Sequence, residues 1–391
     1  MDNVVYVVKC GSYDEAREKT EELFALMGGA GRFAKNGEKI TLKANLLCAA
    51  APEKAVSTHP EIVAAVGSLA KGEGAVPLIA DSPGSGYRYT ESTLKKLYET
   101  CGMYEAAKRA GIEVNTDTGY EKVSFPQGKQ IKRMDVITPV LRADGVFNLC
   151  KMKTHMLMHM TGAVKNLFGI IPGLSKVAWH AKLFDKGKFA DMLLDLALFV
   201  SPRLSIMDAV LAMEGEGPGV SGTPRRVGLL LASASPLALD AAAGEIMGLP
   251  REQNPVLMAA QRRGLFPCRI EDVNITGAEL SSLRIPDYKF PSTVKTQERK
   301  SGGLAGGLAG GLAGGLAGGK TAGPAPDRYP SVLKEKCTSC GVCRDSCPQK
   351  AITIDMQGNK PKPAEIDIKR CIRCYCCHEL CPSGAVEVRK T

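Results

Sequence analysis

The chain has 391 residues, is 44% hydrophobic and only 5% aromatic, and carries a net charge of +10; it is long enough for two or three domains with a sizeable core. Its Lys and Arg form no block of the kind that grips nucleic acid, so an anionic small molecule or an acidic protein is the expected partner and nucleic acid is not. The longest apolar stretch, about Met192 to Val200, contains Asp195 and is too short to cross a bilayer. The first ten residues lack the layout of a secretory leader, so no membrane partner and a cytoplasmic location are expected.

Strand-like and helical patterns alternate along the chain. Val4–Val8 is a β-branched run and Tyr13–Met27 has helical spacing with acidic residues early. Gly29-Ala-Gly31-Arg-Phe-Ala34 matches a dinucleotide fingerprint in letters only; it follows a helix, where its glycines read as a C-cap. Lys39–Leu46 reads as a strand, Pro60–Ala70 as a helix, Pro77–Ala80 as a strand, Thr93–Ala110 as a helix and Ile112–Asn115 as extended chain. Val123–Phe125 and Ile131–Thr138 form an expected hairpin, and Gly145–Leu149 a strand. Phe189–Val200 reads as a helix, Leu204–Met207 as a strand ending at Asp208, Arg226–Ala232 as a strand and Pro236–Met247 as a helix. This alternation predicts an α/β fold, a mostly parallel sheet flanked by helices, over residues 1–300. Ligands of such sheets bind beyond the carboxyl ends of the strands, where Asn45, Asp81, Lys151 and Asp208 are expected.

The segment richest in chemistry is Asn148-Leu-Cys-Lys151-Met-Lys153-Thr-His155, continuing through His159 to Gly162-Ala-Val-Lys165-Asn166-Leu-Phe-Gly169, with His180 close behind. A strand is expected to end at Leu149 and a loop to deliver Lys151, Lys153 and His155 together, joined by Lys165 and Asn166. Several cations around one histidine suit a carboxylate, phosphate or enolate, with His155 as acid or base. His155 and His159, four apart, were they helical, would share a metal ion; the neighbouring Met156, Met158 and Met160 favour packing instead. Further on, Asp208-Ala-Val-Leu-Ala-Met-Glu214-Gly-Glu-Gly-Pro-Gly reads as a glycine-rich turn suited to close backbone approach. Asp240, near a helix start, is expected to favour that helix's dipole.

The K-x-K-T-H…G-x-x-K-N-L-x-G core of this segment resembles an uncharacterised bacterial and archaeal family, a domain of unknown function often fused to a two-cluster ferredoxin. The resemblance covers roughly residues 1–290, and Lys43-x-Asn45, His59-Pro60 and Asp81 look like the family's polar positions. It implies architecture more than reaction. The candidate catalytic residues are His155, Lys153, Lys165 and Asp81; the candidate substrate-binding residues are Lys43, Asn45, His59, Lys151, Asn166, His180 and Asp208.

Residues 302–319 read GGLA four times and then GG, a composition that cannot bury enough surface to order itself. A flexible tether is therefore expected over residues 301–328. It also creates Gly314-Gly-Leu-Ala-Gly-Gly319-Lys320-Thr321, a phosphate-loop match without the flanking strand and helix that such a loop requires.

Residues 329–391 carry Cys337-x-x-Cys340-x-x-Cys343-x-x-x-Cys347-Pro348 and Cys371-x-x-Cys374-x-x-Cys377-x-x-x-Cys381-Pro382. Both runs have the spacing that ligates a [4Fe–4S] cube, in which the fourth cysteine of each run serves the other cluster. One cluster would take Cys337, Cys340, Cys343 and Cys381, the other Cys371, Cys374, Cys377 and Cys347. Structural zinc, the main rival, would use four sulfurs from two pairs and leave the rest idle. Cys376 reads as a spare thiol, and His378 as a surface residue or a donor to a sulfur. The segment resembles the bacterial two-cluster ferredoxin module, a small α+β domain. The cysteines outside it, Cys10, Cys48, Cys101, Cys150 and Cys268, are odd in number and scattered, as in a reducing cytosol, and oxygen-sensitive clusters fit an anaerobic host.

Two readings of function follow. In the first, the chain is an iron–sulfur electron-transfer protein, an oxidoreductase if it is an enzyme, whose large domain binds or reduces an anionic small molecule and whose clusters exchange electrons with a redox partner protein. In the second, the large domain is a non-redox acid–base enzyme or binding module and the ferredoxin is regulatory or structural. A flavin or other cofactor is left open, since flavin sites lack a dependable short signature.

Overall fold

The computed structural model describes residues 3–84, 86–266, 269–294 and 328–390. The expected tether, its phosphate-loop match and Cys268 lie outside the described residues. Among the described residues the large domain carries eleven strands: β1 (Val4–Lys9), β2 (Lys39–Lys43), β3 (Val76–Ala80), β4 (Glu113–Val114), β5 (Tyr120–Ser124), β6 (Arg133–Ile137), β7 (Gly145–His155), β8 (His159–Thr161), β9 (Leu204–Gly215), β10 (Gly222–Ser233) and β11 (Asn274–Thr276).

Nine of them form one sheet in the order β11-β1-β10-β9-β7-β2-β3-β4, with β8 folded back on β7 as an antiparallel flap. Along that path only the two pairings of β10, with β1 and with β9, are antiparallel. Helices cover both faces. One core gathers Phe24, Ile62, Val66 and Tyr98 against Ile40, Leu42, Phe147 and Leu149. The other gathers Phe189, Leu193, Leu239 and Ile246 against Val146, Cys150, Met152 and Met207. The expected mostly parallel α/β sheet is thus the one that forms, and β5 and β6 make the expected hairpin beside it.

Helix starts follow local chemistry. His59, Asp185, Ser235 and Asn254 each accept an amide of the first turn, and Pro60, Pro236 and Pro255 occupy first helical positions, where a missing N–H costs nothing. The helix expected over Thr93–Ala110 is two helices, Glu91–Thr100 and Met103–Ala110, because Gly102 takes φ +72° and breaks the run. Gly28 and Gly29, at φ +85° and +93°, end helix Ala16–Leu26, so the dinucleotide match is a helix terminus.

The larger departure lies in the strands. β7 does not end at Leu149, nor β9 at Met207; β7 runs on to His155 and β9 to Gly215. Each continues because it gains a hairpin partner, β8 and β10, which keeps its backbone groups paired in buried surroundings.

The C-terminal module is built from short elements: paired strands Arg328–Val332 with Val386–Lys390 and Ile352–Thr353 with Glu365–Ile366, and helices Val342–Asp345 and Cys376–Leu380. It rests on the large domain. Leu380 and Val342 pack against Leu47, Cys48, Val56 and Met213. His378 is buried, not on the surface, and its two ring nitrogens lie 2.6 Å from the Val386 carbonyl and 2.8 Å from the Glu216 carbonyl, bridging module and large domain.

Candidate functional site

The lysines and histidine of the core are assembled by strand geometry, not by a loop. Side chains alternate along a strand, so Lys151, Lys153 and His155 of β7 share one face. That face continues the Phe147 and Leu149 side of the core. Lys165 and Asn166 arrive on the short helix Ala163–Asn166, whose first amides donate to Asp240, with Ala163 N at 2.5 Å and Val164 N at 3.1 Å. Asp240 therefore caps a neighbouring helix and not the start of its own.

Two buried ion pairs frame the site. Lys43 Nζ lies 2.6 Å from Asp81 Oδ1, and Lys151 Nζ lies 2.7 Å from Asp208 Oδ2. Asp81 also accepts from Leu46 N at 2.7 Å and Ser82 N at 2.8 Å. Asp208 also accepts from Tyr13 Oη at 3.0 Å, His59 N at 2.9 Å and Val210 N at 3.2 Å. His59 stacks on Tyr13 with ring centroids 3.4 Å apart, and its Nδ1 accepts from Glu61 N. Asp81, Asp208, Lys43 and Lys151 are thus engaged with one another and with backbone, and Lys151 and Asp81 also line the neighbouring cavities. Packing here is tight. A Cβ on Gly169 would overlap Asp81 Oδ1 and fall 2.5 Å from Lys43 Nζ, so only glycine fits against this pair.

Beside these pairs lie two small polar cavities that together form the candidate pocket, one bordered by Asn45, Lys153, Lys165 and Asn166, the other by Asn45, Lys165, Asn166 and His180. Lys153 Nζ donates to Asn45 Oδ1 at 2.7 Å and to the Val56 carbonyl at 2.5 Å, but meets no carboxylate. Burial first, then the charge of Lys165, pushes its ammonium down to about 7. Lys165 makes no hydrogen bond or ion pair among the described residues, and burial lowers its pKa as well. His155 Nδ1 accepts amides from Leu157 at 3.0 Å and Met158 at 3.2 Å, so the ring proton sits on Nε2, which faces Glu379 at 3.5 Å, beyond good hydrogen-bond geometry. Burial pushes this imidazole down to about 4. His155 is therefore a neutral N–H donor whose Nδ1 is already engaged by backbone amides. His180 stacks on Phe189, leaves a buried Nδ1 unpartnered, and is pushed down to about 3 by burial. His159 faces His155 across the β7–β8 hairpin, but its ring nitrogens are occupied by the Gln253 carbonyl at 2.5 Å and Lys186 Nζ at 3.0 Å.

Lys153 titration sets a pH signature. The unfolded chain keeps this proton to about pH 10.5 and the folded chain only to about 7. Between those values the unfolded state binds more protons, so stability rises with pH. Lys153→Met should abolish that contribution, flattening the rise in unfolding free energy from urea titrations between about pH 7 and 10 by at least about 1 kcal/mol relative to wild type. Equal slopes in the two proteins would contradict the buried, unpaired ammonium.

Two residues at the site carried no sequence signal. Lys176 is buried and donates to Ser82 Oγ at 2.8 Å and to the carbonyls of Pro83 at 2.8 Å and Ile171 at 2.6 Å, pinning the loop after β3. Glu379 belongs to the cysteine-rich module, between Cys377 and Cys381, yet its carboxylate enters the pocket, with Oε2 at 3.5 Å from His155 Nε2. The glycine-rich β9–β10 turn makes the close approach expected of it, but to this module: a Cβ on Gly219 would overlap the Glu379 carbonyl oxygen.

Within the module the sulfurs crowd one another. The Cys343 thiol is pushed up to about 11 by burial, and then by the sulfurs of Cys381, Cys340 and Cys337. Cys377 is pushed up by burial, and then by Cys374, Cys371, Cys343 and Cys347. Crowded thiolates that repel one another are the donor set a cationic iron core neutralises. Backbone amides of Ala351, Ala364, Arg373 and Ala385 donate to the sulfurs of Cys347, Cys337, Cys371 and Cys381. Cys376 is buried against Cys374 on the side facing Lys165.

Fold and site together define an α/β protein with a buried cationic pocket joined to a ferredoxin-like iron–sulfur module. The chain belongs to the domain of unknown function family DUF362, which matches residues 40–245, and residues 336–385 match a 4Fe-4S dicluster domain. It is 35% identical over 269 residues to the thylakoid-associated protein sll1697 of Synechocystis, covering 68% of this chain and 81% of that one. The lactate racemase apoprotein of Thermoanaerobacterium thermosaccharolyticum is similar at 13% identity and a TM-score of 0.40, over 63% of this chain and 57% of that structure. No helix among the described residues is long and apolar enough to cross a membrane.

Proposed function

We propose that this chain is an electron-transfer protein in which two [4Fe–4S] clusters serve a small-anion site in the large domain. The observation that carries the proposal is the helix Cys376–Leu380: it bears the cluster ligand Cys377 and, two residues on, Glu379 in contact with the cation pocket. The clusters, held by the crossed sets Cys337, Cys340, Cys343, Cys381 and Cys371, Cys374, Cys377, Cys347, would supply electrons one at a time. The chain's own groups do the rest. Lys165 and Lys153 supply positive charge, the His155 Nε2–H supplies a directed donor, and the two buried ion pairs keep these groups in place. Lys153, with its proton held near neutrality, is the group suited to deliver one to a reduced ligand. Of the eight module cysteines in the two sets, Cys340 is exposed, which marks the side a redox partner protein would approach.

The same lysine supports the competing, non-redox reading, in which Lys153 does acid–base work and the module only shapes the pocket. A titration separates them. The anaerobically prepared protein is reduced, candidate carboxylates and phosphate esters are added, and cluster absorbance is followed. Reoxidation that depends on one of these anions is expected. Turnover that persists after the iron is stripped, with no anion-dependent reoxidation, would favour the non-redox reading.

A further inference from the structure

We infer that Glu379 is an internal carboxylate occupying the pocket in place of a short-chain carboxylate ligand, so that the ligand and the docked helix Cys376–Leu380 compete for one site. The inference rests on reading the pocket as an anion site and names the chemistry of the anion.

Three observations carry it. First, the three buried carboxylates around the pocket are held differently. Asp81 and Asp208 each accept several hydrogen bonds of 3.2 Å or less. Glu379, nearly as buried, has one close side-chain partner among the described residues, His155 Nε2, and that contact is long, at 3.5 Å. It is positioned by its backbone, which Gly219 allows to come close, more than by its carboxylate. A carboxylate built for stability would not be left so loosely bound, because burying a charge without close partners is costly.

Second, the surrounding donors are unsatisfied. His155 Nε2 and His180 Nδ1 are buried without a hydrogen-bond partner, in side chains 1% and 2% exposed. Lys165 has neither a hydrogen bond nor an ion pair among the described residues. Native proteins rarely leave such groups orphaned unless a ligand completes them. Third, Glu379 lines two small cavities that share Asn45, Lys165 and Asn166. A free carboxylate that displaces the Glu379 side chain is not tied to the backbone of helix Cys376–Leu380 and can approach those donors more closely. The end of the Glu379 side chain is itself a propionate-like arm, so acetate and propionate are the matching probes.

The experiment compares full-length wild type, Glu379→Ala and the isosteric Glu379→Gln by calorimetric titration with acetate, propionate and inorganic phosphate. Iron content verifies that the module stays loaded in each. An internal competitor acts at an effective concentration in the millimolar range or above, so removing it should tighten acetate and propionate binding by about tenfold or more. Glu379→Gln should fall between the other two. Adding Lys165→Met to Glu379→Ala should abolish the gain. Carboxylate binding no tighter in Glu379→Ala than in wild type overturns the inference, while leaving the anion site standing if Lys165→Met still weakens it. Phosphate binding alone, without carboxylates, overturns the named chemistry and keeps the anion site. Absence of any anion binding in all three proteins overturns both.

Discussion

Asp208→Ala should cost about 3–5 kcal/mol of stability, the loss expected when one member of a buried ion pair is removed and its partner stays behind. The Lys151 ammonium would remain 1% exposed, with Tyr13 Oη at 2.9 Å as its remaining partner. The damage would spread further, because the same carboxylate accepts His59 N at the start of helix Pro60–Gly72 and Val210 N within β9. Lys151→Met combined with Asp208→Asn removes both charges yet keeps an acceptor for those amides. It should recover at least half of the loss, since an ion pair replaced as a unit is often near neutral. Anaerobic urea unfolding followed by circular dichroism reads both values. A single-variant loss below about 1 kcal/mol would show that Asp208 is not the anchor described.

Pairs of cysteine substitutions should show which sulfurs share a cluster. With crossed ligation, Cys337→Ala/Cys381→Ala strikes one cluster twice and leaves about four irons in an intact second cluster. Cys337→Ala/Cys347→Ala, both in the first run, strikes each cluster once and leaves neither with four thiolates. Ligation within each run predicts the opposite ranking. Iron and sulfide content, together with the paramagnetic resonance spectrum of the reduced protein, discriminate between the two. Metal binding contributes folding free energy to such a small domain. The second variant should therefore also lose the grip of Leu380 on Leu47 and Val56, read as faster proteolysis of the module.

Much of the architecture was legible because its signals are local. The alternation of β-branched runs with helical spacing predicted the parallel sheet, and the repeated cysteine spacing predicted the iron–sulfur module. What was misjudged depended on partners distant in sequence. β7 and β9 continue past their apolar runs because hairpin partners pair their backbones, so Lys151 and Asp208, expected at strand ends, lie within strands facing each other. Lys43 and Asp81 were recognised as polar strand-end residues, but that they neutralise each other follows from the β2–β3 pairing, invisible in either segment alone. That His155, expected as an acid or base, has its Nδ1 engaged by the amides of Leu157 and Met158 follows from the β7–β8 hairpin and not from spacing. Glu379 could not have been picked out at all. In sequence it is one acidic residue between two cysteines, and its role comes from the docking of one domain on another.

The assembly of Lys151, Lys153 and His155 along one side of β7 has a genetic corollary. A single codon gained or lost between them would rotate part of the trio to the opposite surface of the sheet, while a change of two codons would restore the facing. Natural length variation within this stretch should therefore come in even steps, and an odd step should be accompanied by a compensating bulge nearby.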